Sequence, residues 1–477
     1  MRVLLVSANR ERLPDPVFPL GLAYVAAAAR AAGHRVEVAD LCFDRRPLKA
    51  LGSRIVDFDP EVVGVSLRNV DNASFPLTQD YLPEHHAIVS TVAKFTRAPI
   101  VLGGSGYSIL PKPYLETLGG ACGVVGEGEA TFVSLLDALA AGRPPSGVPG
   151  VATRDTAVTC ALHQNHWGRL RPARDLFDYP RYLRRGGMGN LQTKRGCAFR
   201  CRYCTYPRLE GETFRAREAG EVVDEIEQLW RDYGPHRLFF VDSVFNFPSE
   251  HVHEICAEIL RRGLRIRFSC YATPVKLGPA QAAELARAGC ESVELGTDAV
   301  EDAQLGRLGK SFDADAVRRA NDACLGAGLG VCHFVIFGAP GETPATVRST
   351  CAALRAMRAT AVVAMSAVRV YPGTPLARDV IASGEVRADD IALAPYFHVD
   401  PAVRDFLPGY LLRQASEAGN WVLPGLARPI DPVSQRLLRT LGIVGPLWRL
   451  LASAPVRHAS RAKFRLGSWL PRRGRRE

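Results

Sequence analysis

Gly196-Cys197-Ala198-Phe199-Arg200-Cys201-Arg202-Tyr203-Cys204 sets three cysteines within eight residues, spaced C-x3-C-x2-C. So short a loop can present three thiolates to one side of a four-iron cube and leave the fourth iron without a protein ligand. An iron with an open position binds a substrate or cofactor, whereas a cluster capped by four cysteines chiefly passes electrons. A zinc knuckle and three ordinary buried cysteines are the competing readings. Zinc usually takes four ligands, commonly as paired C-x2-C units, and no second pair follows. Tyr203 adds an aromatic face beside the last thiol.

Downstream of the loop, apolar strand-like runs alternate with amphipathic helical stretches. Strands are expected at 190–194, 237–242, 264–269, 292–295, 330–337 and 360–370. Helices are expected at 219–230, 250–262, 279–288, 314–327 and 344–357. Six strand–helix units are too few to close an eight-stranded barrel and imply an open one. Chemistry in parallel barrels sits at the carboxyl ends of the strands. A carboxylate at such an end could hold a ligand, with Glu294 and Asp298 as candidates. Strand alternation sets Val293 and Leu295 opposite Glu294. Each carboxylate also has an ordinary reading as a helix cap or first-turn charge. Tyr206, Cys270, Tyr271 and His333 could reach the barrel mouth, though core packing suits them better.

Upstream, 2–7, 35–41, 61–67, 99–102 and 123–125 read as strands. An alanine-rich helix begins at Pro19-Leu20-Gly21-Leu22 and stops at Gly33. This pattern predicts a doubly wound α/β parallel sheet that binds ligands at the carboxyl ends of its strands. The expected ends are Ser66-Leu67-Arg68-Asn69, Gly103-Gly104-Ser105-Gly106 and Gly126-Glu127-Gly128-Glu129, where glycines let a bulky ligand approach the backbone. His85 and His86 fall in a helix and are expected at the surface.

The loop, its order and its spacing resemble the radical S-adenosylmethionine (SAM) enzymes. The N-terminal segments resemble the cobalamin-binding domain of the B12-dependent branch. The Asp-x-His-x-x-Gly signature that supplies a lower axial histidine is absent from residues 1–150. The resemblance implies a flavodoxin-like cobalamin domain at 1–142, a linker at 143–188, an open (β/α)6 radical SAM barrel at 189–376 and a mostly helical region at 377–477. It implies a [4Fe-4S] cluster on Cys197, Cys201 and Cys204. It implies SAM contacts at Phe199, Tyr203, Asp242, Glu294, Asp298, Gly338, Pro340 and Glu342. Cobalamin contacts are implied at Leu20, Gly21, Ser66, Asn69, Gly103, Gly104, Ser105, Gly126, Glu127 and Gly128. The implied activity is C-methylation of an unactivated carbon through a 5′-deoxyadenosyl radical and methylcobalamin. A cobalamin-using cyclase or rearrangement enzyme and a non-catalytic cobalamin sensor are the alternatives. A flavodoxin or ferredoxin would supply electrons, and the substrate would be a small molecule, a lipid-like molecule or a peptide. Residues 369–376 are implied to pass near that substrate, and 395–425 to cover the open side of the barrel. A methylthiotransferase needs a further N-terminal cysteine cluster, and residues 1–150 hold only Cys42 and Cys122.

The 477 residues are 47% hydrophobic and 23% charged, the balance of a globular chain with sizeable cores. The N-terminus lacks the features of a secretion signal, and the scattered cysteines suit a reducing cytoplasm. The net charge is +11, and residues 431–477 alone carry eleven Lys/Arg against two Asp/Glu. Basicity is thus a tail property and does not mark a nucleic-acid-binding body. A basic tail carrying Trp448, Phe464 and Trp469 could meet an anionic membrane or an acidic carrier protein. A solvated tail is the simpler expectation.

Overall fold

The computed structural model describes residues 1–156, 163, 169–186, 188–427 and 432–465. The N-terminal sheet contains β1 (Arg2–Ser7), β2 (Arg35–Asp40), β3 (Val62–Ser66), β4 (Ile100–Gly103), β5 (Cys122–Val124) and β6 (Val151–Ala152). Its strand order is β2-β1-β3-β4-β5-β6, and only β6 runs antiparallel. The first five strands are nearly continuous apolar runs because helices cover both faces of the sheet. The order reverses at β1 and β3, which puts the ligand crevice at their carboxyl ends.

A second sheet forms the barrel wall. It contains β7 (Met188–Leu191), β10 (Arg237–Phe240), β11 (Phe268–Ala272), β12 (Cys290–Asp298), β13 (Gly330–Ile336) and β14 (Ala361–Met365). All six are parallel, in the order β14-β13-β12-β11-β10-β7. Between β7 and β10, β8 (Lys194–Arg195) and β9 (Arg215–Ala216) form a separate antiparallel ribbon. Beyond β14, β15 (Val368–Val370) pairs antiparallel with β16 (Tyr396–His398), and β17 (Trp421–Val422) adds a seventh parallel strand beside β14.

Several expectations shift. The expected first barrel strand at 190–194 splits, because Lys194 and Arg195 turn away to pair with β9. The third strand lies at 268–272 rather than 264–269. The run 360–370 breaks after Met365, and its second half leaves the wall. The segment between the sheets is not wholly irregular: it carries β6 and the helix Tyr179–Gly186. Residues 157–162, 164–168 and 187 lie outside the described set. His85 is buried between Tyr81 and Tyr114, where desolvation pushes its pKa down to about 4; only His86 is exposed.

One apolar core joins the two halves. Val3 and Leu5 of β1 belong to the same packed cluster as Leu191 and Leu238 of the barrel wall. Phe18 bridges the halves, its ring centroid 4.9 Å from Phe177 and 4.7 Å from Tyr179.

The C-terminal region is folded against the barrel as far as Arg465, which corrects the solvated-tail expectation for 445–465; residues 466–477 lie outside the described set. Helix 454–465 packs on the helix Leu407–Ala418, and Arg461 donates to the Ala418 carbonyl at 3.3 Å. Trp448 enters the barrel itself. Trp469 lies outside the described residues. Among the described residues, no helix is long and apolar enough to cross a membrane.

Candidate active site

Backbone constraints shape the cysteine loop. Gly196 has φ +89°, and a Cβ there would lie 1.9 Å from the Thr213 carbonyl oxygen, so this position demands glycine. The Cys197 amide donates to Gly211 at 2.9 Å, the Arg202 amide to Leu308 at 3.0 Å, and the Leu376 amide to Arg202 at 2.9 Å. Cys197 is buried, and Cys201 and Cys204 are half-buried. Burial pushes all three thiols up, Cys204 to about 12; Cys197 also feels Cys201, and Cys204 feels both of the others. Free thiols in this setting stay protonated and yield thiolate when a metal displaces the proton. Among the described residues, no set of three His, Cys, Asp or Glu side chains could hold a single metal ion. Three neighbouring thiols on one braced loop fit one corner-open [4Fe-4S] cluster.

The expected SAM carboxylates divide sharply. Asp242 is completely buried. Its oxygens accept from the Thr193 amide at 2.6 Å, the Thr193 hydroxyl at 2.5 Å and the Lys194 ammonium at 3.2 Å. Lys194 also donates to the Phe245 carbonyl at 2.8 Å, and burial lowers its pKa. This ion pair braces the strand leading into the loop. Glu342 folds back on its own turn and accepts from the Gly338 amide, while burial raises its pKa to about 7. Thr343, not Glu342, caps the following helix. Gly338 and Gly341 hold positive φ in that turn, around Pro340. Asp298, at the end of β12 with φ +59°, accepts from the Tyr203 hydroxyl at 2.6 Å and pairs with Lys310 at 2.5 Å. Phe199 joins a ring cluster, 5.4 Å from Phe247 and 6.2 Å from Phe214.

Glu294 lies mid-strand rather than at a strand end. Val293 and Leu295 face the helices, which turns Glu294 toward the barrel lumen. Its Oε1 accepts from the Trp448 indole N–H at 2.8 Å, and burial raises its pKa to about 7. Beside Trp448, Arg449 and Arg237 each reach Glu291 at 2.6 Å. Residues 446–452 therefore close the lower mouth of the barrel. Above this floor, Tyr206 and Tyr271 are each 39% exposed, yet burial raises both phenols. A side chain that is both open to solvent and surrounded by protein lines a concavity. The positive charge of Arg68, from the loop after β3, is felt at both phenols, and the short helix Ser105–Ile109 touches Tyr206–Glu210, so the two strand-end regions adjoin. Cys270 and His333 are instead fully buried in the wall.

At the carboxyl end of the first sheet, the loops after β3 and β4 touch. A Cβ on Gly104 would lie 2.7 Å from the Leu67 carbonyl oxygen, and Ser105 donates to the Arg68 carbonyl at 2.8 Å. A Cβ on Gly103 or Gly21 would meet open space, or nothing nearer than 3.9 Å. Leu20 and Gly21 start the first helix on this side of the sheet. Ser66, Asn69, Gly103, Gly104, Gly126 and Gly128 are partly exposed and Ser105 is exposed. This shallow, backbone-lined cradle fits a large planar ligand. Glu127 does not join it through its side chain. Buried Glu127 takes Arg215 and, at 3.2 Å, Arg195, while Glu129 takes Arg195 at 2.6 Å. These pairs tie the cradle to the ribbon that leads into the cysteine loop. Asp71 likewise pairs with Arg369 at 2.7 Å, which ties residues 368–370 to the first domain.

Sequence reasoning missed Arg68, Glu210, Lys310 and Trp448. Glu210 accepts from the Gly196 amide at 3.2 Å, and burial raises its pKa to about 7. An available signal was Glu294 itself, since a charge inside an apolar strand requires a partner.

Comparisons with known proteins agree with this geometry. Residues 191–354 match the radical SAM superfamily model, and residues 7–136 match the B12 binding domain model. The tryptophan 2-C-methyltransferase of Streptomyces laurentii is 27% identical over 78% of this chain and 73% of its own length. The solved structure of the radical SAM methyltransferase TsrM from Kitasatospora setae, with cobalamin and a [4Fe-4S] cluster, superposes with a TM-score of 0.85. It is 26% identical and covers 98% of this chain and 99% of its own. The anaerobic magnesium-protoporphyrin IX monomethyl ester cyclase of Cereibacter sphaeroides is more distant, 23% identical over 70% of this chain and 55% of its own length. The chain belongs to the radical SAM enzymes that carry an N-terminal B12-binding domain, with a [4Fe-4S] cluster, SAM and cobalamin as its cofactors.

Proposed function

We infer that this cobalamin-dependent radical SAM enzyme methylates a carbon atom of a small molecule held in the barrel lumen. The observation that carries the reading is the adjoining arrangement of two strand-end sites. A braced three-cysteine loop and a backbone-lined cradle adjoin where Ser105–Ile109 touches Tyr206–Glu210, with half-exposed Tyr206 and Tyr271 beside them and Glu294 held by Trp448. When bound, the cluster and SAM supply radical chemistry and cobalamin supplies a carrier for the methyl group. The chain's own residues bind, orient and enclose. Cys197, Cys201 and Cys204 hold the cluster. Tyr203, fixed by Asp298, and the turn Gly338–Glu342 frame the SAM side. Ser66, Asn69, Gly103, Gly104, Ser105, Gly126 and Gly128 form the cobalamin cradle, with Leu20 and Gly21 at its edge. Asp242, Glu342 and the Glu127 carboxylate hold these elements in place through protein partners.

The carboxyl group of Glu294 offers the substrate a hydrogen-bonding floor. With a pKa near 7 it can accept or give a proton at neutral pH. An external one-electron donor of the flavodoxin or ferredoxin type completes the system.

The test is anaerobic purification with cobalamin supplied, read by absorption spectrum and iron content, followed by turnover with methyl-deuterated SAM. Label transferred to a carbon of a small-molecule product, with S-adenosylhomocysteine and 5′-deoxyadenosine both formed, supports the reading. Formation of 5′-deoxyadenosine alone would overturn methyl transfer and favour ring formation or rearrangement.

A further inference from the structure

The helix Pro432–Thr440 is fastened to the N-terminal half by one face only. Gln435 donates to the Pro14 carbonyl and, at 3.4 Å, to the Arg12 carbonyl, while the buried Arg439 guanidinium pairs with Asp15. Successive helical residues turn by about 100°, so Val433 and Leu437 lie about 200° round from Gln435 and Arg439. Leu441, whose amide donates to the Leu437 carbonyl at 3.0 Å, continues their stripe. Val433, Leu437 and Leu441 are 77%, 59% and 67% exposed, and among the described residues no large apolar side chain is more exposed than Val433 or Leu441.

Cations flank the stripe on both sides. From Leu441 the chain runs through Gly442 and Val444 along an open cavity of about 540 Å³, whose other walls are Trp230, His236, Arg237, Arg265 and Arg267. Arg237, Arg449 and Arg267 share one carboxylate, Glu291, at 2.6, 2.6 and 3.7 Å, which leaves positive charge in surplus. Arg265 and the Trp230 indole are exposed there. On the other side, the helix Tyr179–Gly186 touches Pro432–Thr440 and carries exposed Arg184 and Arg185 in its last turn.

A single exposed apolar side chain is ordinary on a folded surface; Val56, 61% exposed on the helix Pro47–Phe58, is one. Three in line on one helix, with an exposed indole and surplus arginines beside them, make a patch that asks for a partner. We propose that residues 432–441 and the adjoining Trp230–Arg265 wall dock this enzyme on an anionic membrane surface as a peripheral contact. Val433, Leu437 and Leu441 project from the helix, a form that fluid acyl chains accept, and they enter the boundary between headgroups and chains. The indole sits at headgroup level, and the guanidiniums meet lipid phosphates. Long-range attraction comes from the eleven Lys/Arg against two Asp/Glu of residues 431–477. The docking face runs directly into the floor segment 446–452, so the membrane lies on the floor side of the barrel.

The test is flotation of the anaerobically reconstituted full chain with vesicles of phosphatidylcholine, alone or mixed with phosphatidylglycerol. It compares the wild type with Leu437→Asp, Arg265→Ser and Val56→Asp. The wild type should float with the anionic vesicles and far less with the neutral ones, and added salt should release it. Leu437→Asp should lower partitioning about tenfold and Arg265→Ser about fivefold. Val56→Asp, matched in exposure but isolated, should leave it unchanged. Iron content, cobalamin content and denaturation midpoint should match the wild type in all three. A wild type that ignores anionic vesicles overturns the proposal, and so does an equal loss of binding in Val56→Asp. A lowered midpoint in Leu437→Asp, or self-association of the wild type that this variant abolishes, also overturns it, because the stripe would then be covered by the chain itself or by a second copy. Capture by an immobilised acyl carrier protein without vesicle binding would assign the face to an acidic protein instead.

Discussion

The two strand-end sites adjoin but are built from opposite materials. The cradle of the first sheet is mostly backbone: glycines, carbonyls and one serine hydroxyl at loops that nearly touch. The barrel end is mostly side chain: three thiols, two buried lysines, and carboxylates already committed to partners. A large planar ligand needs shape and close approach, which glycine supplies. A reactive cluster needs fixed ligands and controlled charge, which only buried, paired side chains supply. Substitutions should therefore fail differently at the two ends.

The largest effect is expected from Cys201→Ala. Cluster iron should be lost and SAM cleavage should fall below detection, while cobalamin still copurifies with an unchanged absorption spectrum. Concerted loss of cobalamin would show that the two ends are not separable. Asp242→Ala comes next, because it strands the Lys194 ammonium in a dry interior. Breaking such a pair costs about 3–5 kcal/mol, to be read as a lowered denaturation midpoint of the barrel with cobalamin retention little changed. Gly104→Ala works on the other side. Its positive φ and the collision with Leu67 cost about 1–3 kcal/mol, and cobalamin affinity should drop roughly tenfold while cluster iron stays at wild-type levels.

The smallest effect concerns pH. Glu294 has a folded pKa near 7, above its ordinary value of 4.5. The folded state thus holds a proton that the unfolded state releases between pH 4.5 and 7, and stability falls as pH rises through that window. Glu294→Gln should flatten that slope by about 1–3 kcal/mol across it, measured as denaturation midpoints at several pH values. Glu210 and Glu342 contribute slopes of the same sign, so the dependence should weaken rather than vanish. An unaltered slope would mean that Glu294 is not the desolvated floor of the cavity.

Much of the architecture was legible because it follows local periodicity. Apolar runs and amphipathic helices marked both parallel sheets, and the loop spacing marked the cluster. The ends of the long runs were misplaced where side-chain pairing overrides strand propensity. Lys194 and Arg195 leave the wall because each finds a buried carboxylate, Asp242 and Glu129. The roles of the carboxylates were least legible. Asp242, Glu294 and Glu342 all stand near strand ends in sequence, but their partners differ in kind: a neighbouring strand, a residue 154 positions away and their own turn. Nothing in linear spacing separates a carboxylate awaiting a ligand from one already satisfied. β17 escaped notice because it has two residues and owes its place to the edge of β14.

The floor made by Trp448 has a consequence for how the molecule comes into being. Every strand of the barrel wall precedes residues 446–452 in the chain, so on the ribosome the walls emerge before the floor. Until that segment docks, Glu294 stands at an open lower mouth with no indole to meet it, and water has a second route into the lumen. Sealing the reaction chamber is thus a late assembly event, made by a helical turn that belongs to neither cofactor site.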